Sequence, residues 1–307
     1  MQRHPGLVCT LACAMALALS LGPAACGGGD EPATKPDEPA PVKIGTKNFS
    51  ESITLGELYG QALEAKGVPV ELQESVGSTE VTNAALREGL LDMYPEYIGT
   101  LLAEVDGIVT RPASSRDAYL LAKRFEEQRD FSLLEPARLS NEGALAVTRA
   151  YGRRKDVSSI ADLKGVKPTP RLGAAPEFSG RFEGLEGLRK RYGLTLKVKD
   201  VDTNKGLQYP ELDDGKIDVA SVYTTDRQLA GNRYTLLSDP EGVFAKQHVA
   251  PLISKKVLKA YGPKLAATLN AVTALLTTPI MRELNARAAK RTSRQVADEF
   301  LRLHNLK

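Results

Sequence analysis

The sequence contains no tryptophan, three cysteines and three histidines in 307 residues. Two of the cysteines, Cys9 and Cys13, lie in an apolar N-terminal segment, so an exported chain would keep only Cys26. This scarcity excludes a disulfide framework, a thiol nucleophile and a metal centre rich in cysteine or histidine. A net charge of +3 without a dense basic tract gives no reason to expect a nucleic-acid partner. We also expect no cofactor and no metal. Because no glycine-rich loop ending in Lys-Ser or Lys-Thr is present, any ATP hydrolysis must belong to a separate subunit.

The first 25 residues have the pattern of an export signal. Arg3 and His4 precede an apolar run at 7–21, and Ala24 and Ala25 stand directly before Cys26. The run of about fifteen residues is short for a membrane span. We predict a signal peptide at 1–25 of the lipoprotein type, with Cys26 lipidated; the alternative is a plain secretory signal cut near Ala25.

Residues 26–41 are rich in glycine, proline and acidic side chains, which predicts a disordered tether. We therefore expect an exported protein, in the periplasm or at the cell surface, anchored to the membrane through a lipid on Cys26.

The region after the tether alternates between strand and helix patterns. Strands are predicted at 42–46, 68–72 and 90–94, with a helix from Ser50 or Asn48 to Leu63 and another over 79–88. This order is typical of a mostly parallel sheet with helices on its faces. Pro95 is expected to stop the third strand, which would place residues 92–100 (DMYPEYIGT) at a strand end, where ligands commonly bind.

The pattern Leu86-x-x-Gly89-x-x-Asp92 recurs 126 residues later, beginning at Leu212, and Gly67 has a counterpart in Gly193. The recurrence predicts a second lobe of the same kind. Strand-like segments at 144–149 and 249–254 would cross between the lobes, and helices at 264–276, 280–289 and 294–303 would return to the first. We predict an α/β fold with two mixed, mostly parallel sheets joined by a two-stranded hinge, with lobe I at 42–143 plus 249–307 and lobe II at 144–248.

Several motifs resemble those of the substrate-binding proteins of osmoprotectant ABC transporters, which capture glycine betaine, choline, carnitine or proline betaine. The matching segments are 45–51 (GTKNFSE), 55–58 (LGEL), 77–80 (GSTE), 94–100 (YPEYIGT), 177–181 (EFSGR), 184–188 (GLEGL), 192–193 (YG) and 223–226 (YTTD). The resemblance implies a periplasmic-binding-protein fold of type II. It also implies a monomeric, non-enzymatic receptor that passes a small osmolyte to permease and ATPase subunits.

A quaternary ammonium has no N–H group, so it is bound by aromatic faces, while a carboxylate is bound by Arg, Lys and hydroxyl donors. The resemblance implies that Tyr97 and Tyr223 are walls of such a box and that Lys47, Thr100 and Arg181 bind the carboxylate. His248 is a further candidate. Second-choice candidates are Thr79, Asn141, Glu142 and Asp226. For each residue, the alternative is an ordinary packing, solvated or ion-paired side chain.

Two positions depart from the family pattern, because Gly143 and His248 stand where tyrosines are usual. We expect Gly143 to open volume, Glu142 and His248 to add polar contacts, and betaine binding to be weak or the ligand to be larger. Restoring both tyrosines should then tighten betaine binding. Two other functions stay open: an enzyme on a similar two-lobed scaffold, using a lysine or a carboxylate, and a sensory receptor that docks to a membrane kinase.

Overall fold

The computed structural model describes residues 40–108, 112 and 114–307. Over this part, the chain forms two five-stranded sheets covered by helices. In spatial order, the first sheet contains β2 (Val70–Gly77), β1 (Val42–Lys47), β3 (Met93–Tyr97), β10 (Val249–Ser254) and β4 (Phe131–Leu133). The second contains β7 (Lys197–Asp200), β6 (Arg171–Ala174), β8 (Val219–Tyr223), β5 (Gly143–Thr148) and β9 (Tyr234–Leu236).

Both sheets have the same mixed topology. In the first, β1 is parallel to β2 and β3, while β10 is antiparallel to β3 and β4. In the second, β6 is parallel to β7 and β8, and β5 is antiparallel to β8 and β9. Four strands of each sheet therefore run in one direction and one runs against them. The predicted fold class is confirmed.

The helices, in chain order, are α1 (Ser50–Glu64), α2 (Thr79–Arg87), α3 (Ile98–Thr100), α4 (Ser115–Glu127), α5 (Arg149–Lys155), α6 (Gly187–Tyr192), α7 (Gln208–Asp213), α8 (Lys255–Tyr261), α9 (Pro263–Leu275), α10 (Thr278–Ala288) and α11 (Ser293–Leu303). Helix α1 packs against α9, α10 and α11 over the first sheet, so the C-terminal helices lie on the side of that sheet. Helices α5, α6 and α7 cover the second sheet. No helix of the described part is long and apolar enough to cross a membrane.

The internal repeat is visible in backbone geometry. Gly89 and Gly215 both have positive φ, +74° and +64°, as a helix-terminating glycine requires. Three residues later, the carboxylate of Asp92 accepts the backbone N–H of Lys43, and that of Asp218 accepts the N–H of Arg171, both at 2.9 Å. Asp92 thus joins β1 to the turn before β3, and Asp218 joins β6 to the turn before β8.

The expectation that Pro95 stops a strand is wrong. Strand β3 begins at Met93 and continues through Pro95 to Tyr97, in the middle of the sheet. Pro95 lies opposite Pro251 of β10, at a position where neither residue has to donate an N–H to the other strand. On its other side, β3 pairs with β1 only at Met93. Residues 92–100 therefore contain strand β3 and the short helix α3.

Two segments cross between the sheets side by side. Ser140 pairs with His248 in an antiparallel bridge, and the Asn141 N–H donates to the Gln247 carbonyl at 3.0 Å. Strand β5 begins at Gly143 and β10 at Val249, just beyond this pairing. The predicted lobe boundaries remain a prediction. The predicted signal peptide, Cys26 and nearly all of the predicted tether lie outside the described residues.

Candidate binding site between the two sheets

Lys47, the last residue of β1, is 3% exposed. Its ammonium is ion-paired with Glu96 of β3 and lies over the Tyr97 ring, 5.1 Å from the ring centre. Glu96 also accepts a hydrogen bond of 2.8 Å from the hydroxyl of the fully buried Tyr94. Because Glu96 compensates the charge of Lys47, the predicted carboxylate-binding lysine already has an anionic partner within the protein.

Tyr97, the last residue of β3, is 5% exposed and held by three neighbours. Besides the Lys47 ammonium, the Phe49 ring lies 5.6 Å away, tilted by 48°. The Tyr97 hydroxyl donates to Glu51 Oε1 at 2.8 Å. Burial, and then the nearby Glu51 carboxylate, raise the pKa of Tyr97 well above its usual range, so the phenol remains a donor. Phe49 was not predicted as a site residue, although it lies in the 45–51 motif and stays partly exposed beside Tyr97.

Glu51 is the centre of a buried polar cluster. Oε1 accepts from Tyr97 and from Asn141 Nδ2 (3.1 Å), and Oε2 accepts from Asn285 Nδ2 (2.9 Å). The Thr225 hydroxyl is a further partner. Burial raises the pKa of Glu51, and these donors oppose that rise by stabilising the carboxylate.

Local sequence explains why Glu51 lies here. It is in the first turn of α1, where the helix dipole favours an acidic side chain. The expected Ser50 or Asn48 cap is wrong, because Phe49 occupies the N-cap position without a side-chain hydrogen bond. Instead, the Ser52 hydroxyl accepts the Lys47 N–H at 2.9 Å and joins the helix to the end of β1.

Thr100 contacts the second crossing segment. Its backbone N–H and its hydroxyl are 2.9 and 3.2 Å from Gln247 Oε1, to which both donate. A Cβ atom at Gly99 would lie 2.8 Å from the Lys246 carbonyl, so glycine permits this close approach. Gln247 was missed by sequence reasoning, since only the tertiary fold brings it to Thr100.

His248 is half-buried, and its ring contacts backbone. Nδ1 lies 3.0 and 3.2 Å from the carbonyl oxygens of Ala137 and Leu139. Two acceptors at one nitrogen assign the ring proton to Nδ1. His248 thus fastens the two crossing segments together.

Three predicted site residues belong to the part of the chain that forms the second sheet and its connections: Tyr223, Arg181 and Asp226. Tyr223 ends β8 and is 53% exposed, and the exposed Arg181 interacts with it electrostatically. The Asp226 carboxylate accepts the Tyr209 hydroxyl at 2.8 Å and the Tyr223 N–H at 3.1 Å. Burial raises the pKa of Asp226. Asp226 therefore supports the backbone of Tyr223 and the side chain of Tyr209.

Gly143 does not open volume, and that expectation is wrong. A Cβ atom there would lie 2.8 Å from Cδ1 of Phe244, so the Phe244 ring fills the space. The neighbouring Glu142 accepts the Ser140 hydroxyl at 2.6 Å and the Lys246 ammonium at 2.8 Å. Phe244 was missed because it is about a hundred residues from Gly143 in sequence.

The predicted site residues thus form two groups. Tyr97 and Asn141 donate to Glu51, and Lys47 lies over the Tyr97 ring. Tyr223 and Asp226 lie at the end of β8, where the charge of Arg181 acts on Tyr223. Tyr97 ends β3 and Tyr223 ends β8, the central strands of the two sheets. The two tyrosines are 126 residues apart, which is the offset of the repeat. That offset could have identified them as a pair. Among the described contacts, none joins the buried Thr79, at the start of α2, to either group.

Another buried polar cluster lies in the first lobe. Arg129 is ion-paired with Asp106 and Glu126, whose side chains are 0% and 1% exposed. Burial, and then the charge of Asp106, raise the pKa of Glu126 to about 7. Within the described residues, no group of His, Cys, Asp and Glu side chains is arranged to hold a metal ion.

Comparison with known proteins finds similar chains over most of the described length. The glycine betaine-binding protein YehZ of Escherichia coli is 29% identical over 276 residues, covering 86% of this chain and 90% of the relative. A glycine-betaine-binding protein of Pseudomonas aeruginosa is 30% identical over 277 residues, covering 86% and 88%. A solved structure described as a glycine betaine/carnitine/choline ABC transporter superimposes with a TM-score of 0.80 at 26% identity, covering 86% of this chain and 99% of that one.

The family model for the substrate-binding domain of ABC-type glycine betaine transport systems matches residues 40–303, nearly the whole described chain. The two tyrosines at equivalent strand ends lie within that match. The chain belongs to this family of substrate-binding domains.

Proposed function

We propose that this protein is an extracytoplasmic receptor that captures a quaternary-ammonium or related zwitterionic osmolyte and delivers it to the permease and ATPase subunits of an ABC importer. The observation that carries the proposal is the pair Tyr97 and Tyr223, which end equivalent strands of the two sheets. A cation held between these rings would contact both lobes, so its binding would favour their approach.

Arg181 is the better candidate cation for the carboxylate of a betaine, because it is exposed and its charge acts on Tyr223, while Lys47 is paired with Glu96. Thr100 and His248 have a lesser part in this proposal, since their polar groups already contact Gln247 and the backbone. Phe49 offers a further aromatic surface beside Tyr97. The receptor would act as a monomer without a catalytic step, exported and anchored through a lipid on Cys26.

The test is isothermal titration calorimetry with glycine betaine, choline, carnitine and proline betaine. Tyr223→Ala should weaken binding by about 0.5–2 kcal/mol, from about twofold to about thirtyfold in Kd. Tyr234→Ala is the matched control, because Tyr234 lies in β9 at the far edge of the same sheet. Heat with none of the four ligands, together with tight binding of an amino acid or a sugar, would contradict the proposal.

A further inference from the structure

Glu51 accepts hydrogen bonds from three separate parts of the chain: Tyr97 at the end of β3, Asn141 in the first crossing segment and Asn285 in α10. These belong to the first lobe or to the crossing between the sheets. The same Asn285 Nδ2 atom also donates to the carbonyl of Thr225, in the second-lobe segment after β8, and the Thr225 side chain helps to stabilise the Glu51 carboxylate. One side chain therefore joins a proposed wall of the ligand site to both lobes.

The donors around Glu51 suit a carboxylate. An ionised carboxylate only accepts hydrogen bonds, so both asparagines must turn their Nδ2 atoms toward it. Within the described part of the chain, their Oδ1 atoms are then buried without a hydrogen-bond partner. An unpaired buried acceptor destabilises a fold, and such groups call for an explanation when they occur at a functional site. The cluster keeps its donors directed at Glu51 although two amide oxygens stay unsatisfied.

Helix α10 strengthens the connection to the second lobe. Asn285 Nδ2, besides its bond to Glu51, donates to the Thr225 carbonyl at 3.0 Å. One turn earlier, Arg282 Nε donates to the Thr224 carbonyl at 2.6 Å. Segment 224–225 is thus held to the first lobe through α10, and Glu51 holds the α10 amide that makes one of these contacts.

We propose that Glu51 is a positioning residue that orients the Tyr97 ring and couples it to the docking of segment 224–225 of the second lobe. The inference rests on the proposed function in one respect, namely that Tyr97 contacts the ligand. Glu51 itself is almost entirely buried, and it affects the ligand through the hydrogen bond that it accepts from Tyr97.

The variant that tests the proposal is Glu51→Gln. The glutamine amide keeps the size of glutamate, and once one asparagine amide turns over, it can donate to the Oδ1 atom that is unpaired in the wild type, so the melting temperature should be unchanged or higher. Only one oxygen remains to accept the donors, so Tyr97 and segment 224–225 should be held less firmly. With glycine betaine as the probe, Kd should rise about tenfold, which corresponds to about 1.4 kcal/mol.

Glu57→Gln is the matched control. Glu57 lies on the same helix and is 5% exposed, as Glu51 is, but its partners Gln61 and Arg294 both belong to the first lobe. It should leave Kd unchanged. Equal weakening in both variants would mean that any buried carboxylate of α1 matters, and would overturn the proposal.

Hydrogen exchange measured by mass spectrometry without ligand separates this inference from the ligand assignment. Glu51→Gln should exchange faster than the wild type at 139–143 and 222–230, and equally at 197–200 in β7. This holds even if glycine betaine does not bind to the wild type. Wild-type exchange at both segments would refute the coupling. Tyr97→Phe removes the hydrogen bond between the Tyr97 hydroxyl and Glu51 by changing the donor. It should reproduce the faster exchange at 139–143.

Discussion

The two tyrosines of the proposed box differ in how firmly they are held. Tyr97 contacts Lys47, Phe49 and Glu51 and is nearly buried, whereas Tyr223 is 53% exposed. A ring held in advance loses little side-chain freedom on binding, while ordering an exposed side chain costs about 0.5–1.5 kcal/mol. In the proposed site, Tyr97 is therefore the wall that is fixed in advance, and Tyr223 is the wall that can adjust to a ligand.

At the residue scale, Gly143→Tyr is expected to destabilise the protein rather than restore a wall. A Cβ atom at 143 would approach the Phe244 ring to 2.8 Å, and that ring lies in the core of the second sheet. Overpacking of this kind costs about 1–3 kcal/mol. Urea unfolding of Gly143→Tyr alone and combined with Phe244→Ala measures the effect. The double variant should lose less unfolding free energy than the sum of the losses in the two single variants, because removal of the Phe244 ring makes room for the new tyrosine. Strictly additive losses would show that the two positions do not compete for space.

At the scale of elements, the C-terminal helices and both crossing strands were predicted within two residues, because their apolar periodicity is undisturbed. Strand β3 was misplaced because proline normally ends a strand, and only the pairing with β10 shows that Pro95 faces another proline. Glu51 and Phe244 were missed for a related reason. Their roles depend on contacts between segments far apart in sequence, which periodicity does not report.

The glycine that ends α2 gives a prediction at this scale. Gly89→Ala should cost about 1 kcal/mol of unfolding free energy, because its φ of +74° strains an L-residue although no atom lies within 4 Å of the added Cβ. Gly165→Ala is the control, since that position is equally open and lacks a positive φ. Equal unfolding free energies for the two variants in urea would show that backbone strain at Gly89 is negligible.

At the scale of the whole molecule, the pH dependence of stability should have a component of unusual sign. Glu126 has a pKa of about 7 in the folded protein against an ordinary value of 4.5, because it is buried beside Asp106. Between these two values the folded state holds a proton that the unfolded state has released. That contribution to stability is therefore complete below about pH 4.5 and is lost as the pH rises through about 7. Exposed carboxylates with lowered pKa, such as Asp298, act in the opposite direction.

The difference in unfolding free energy between the wild type and Glu126→Gln isolates the contribution of Glu126, because the contributions of the unchanged groups cancel in that difference. The glutamine can still accept from Arg129, and it can donate to the unpaired Oδ2 of Asp106. As the pH rises from about 5 to about 8, the variant should become more stable relative to the wild type. Each unit of pKa shift corresponds to about 1.4 kcal/mol, so the relative gain over this pH range should be roughly 2–3 kcal/mol. Urea unfolding across this range measures the gain, with Glu127→Gln on the exposed side of α4 as the control. A difference that stays constant with pH would mean that Glu126 is ionised throughout, with Arg129 compensating both carboxylates.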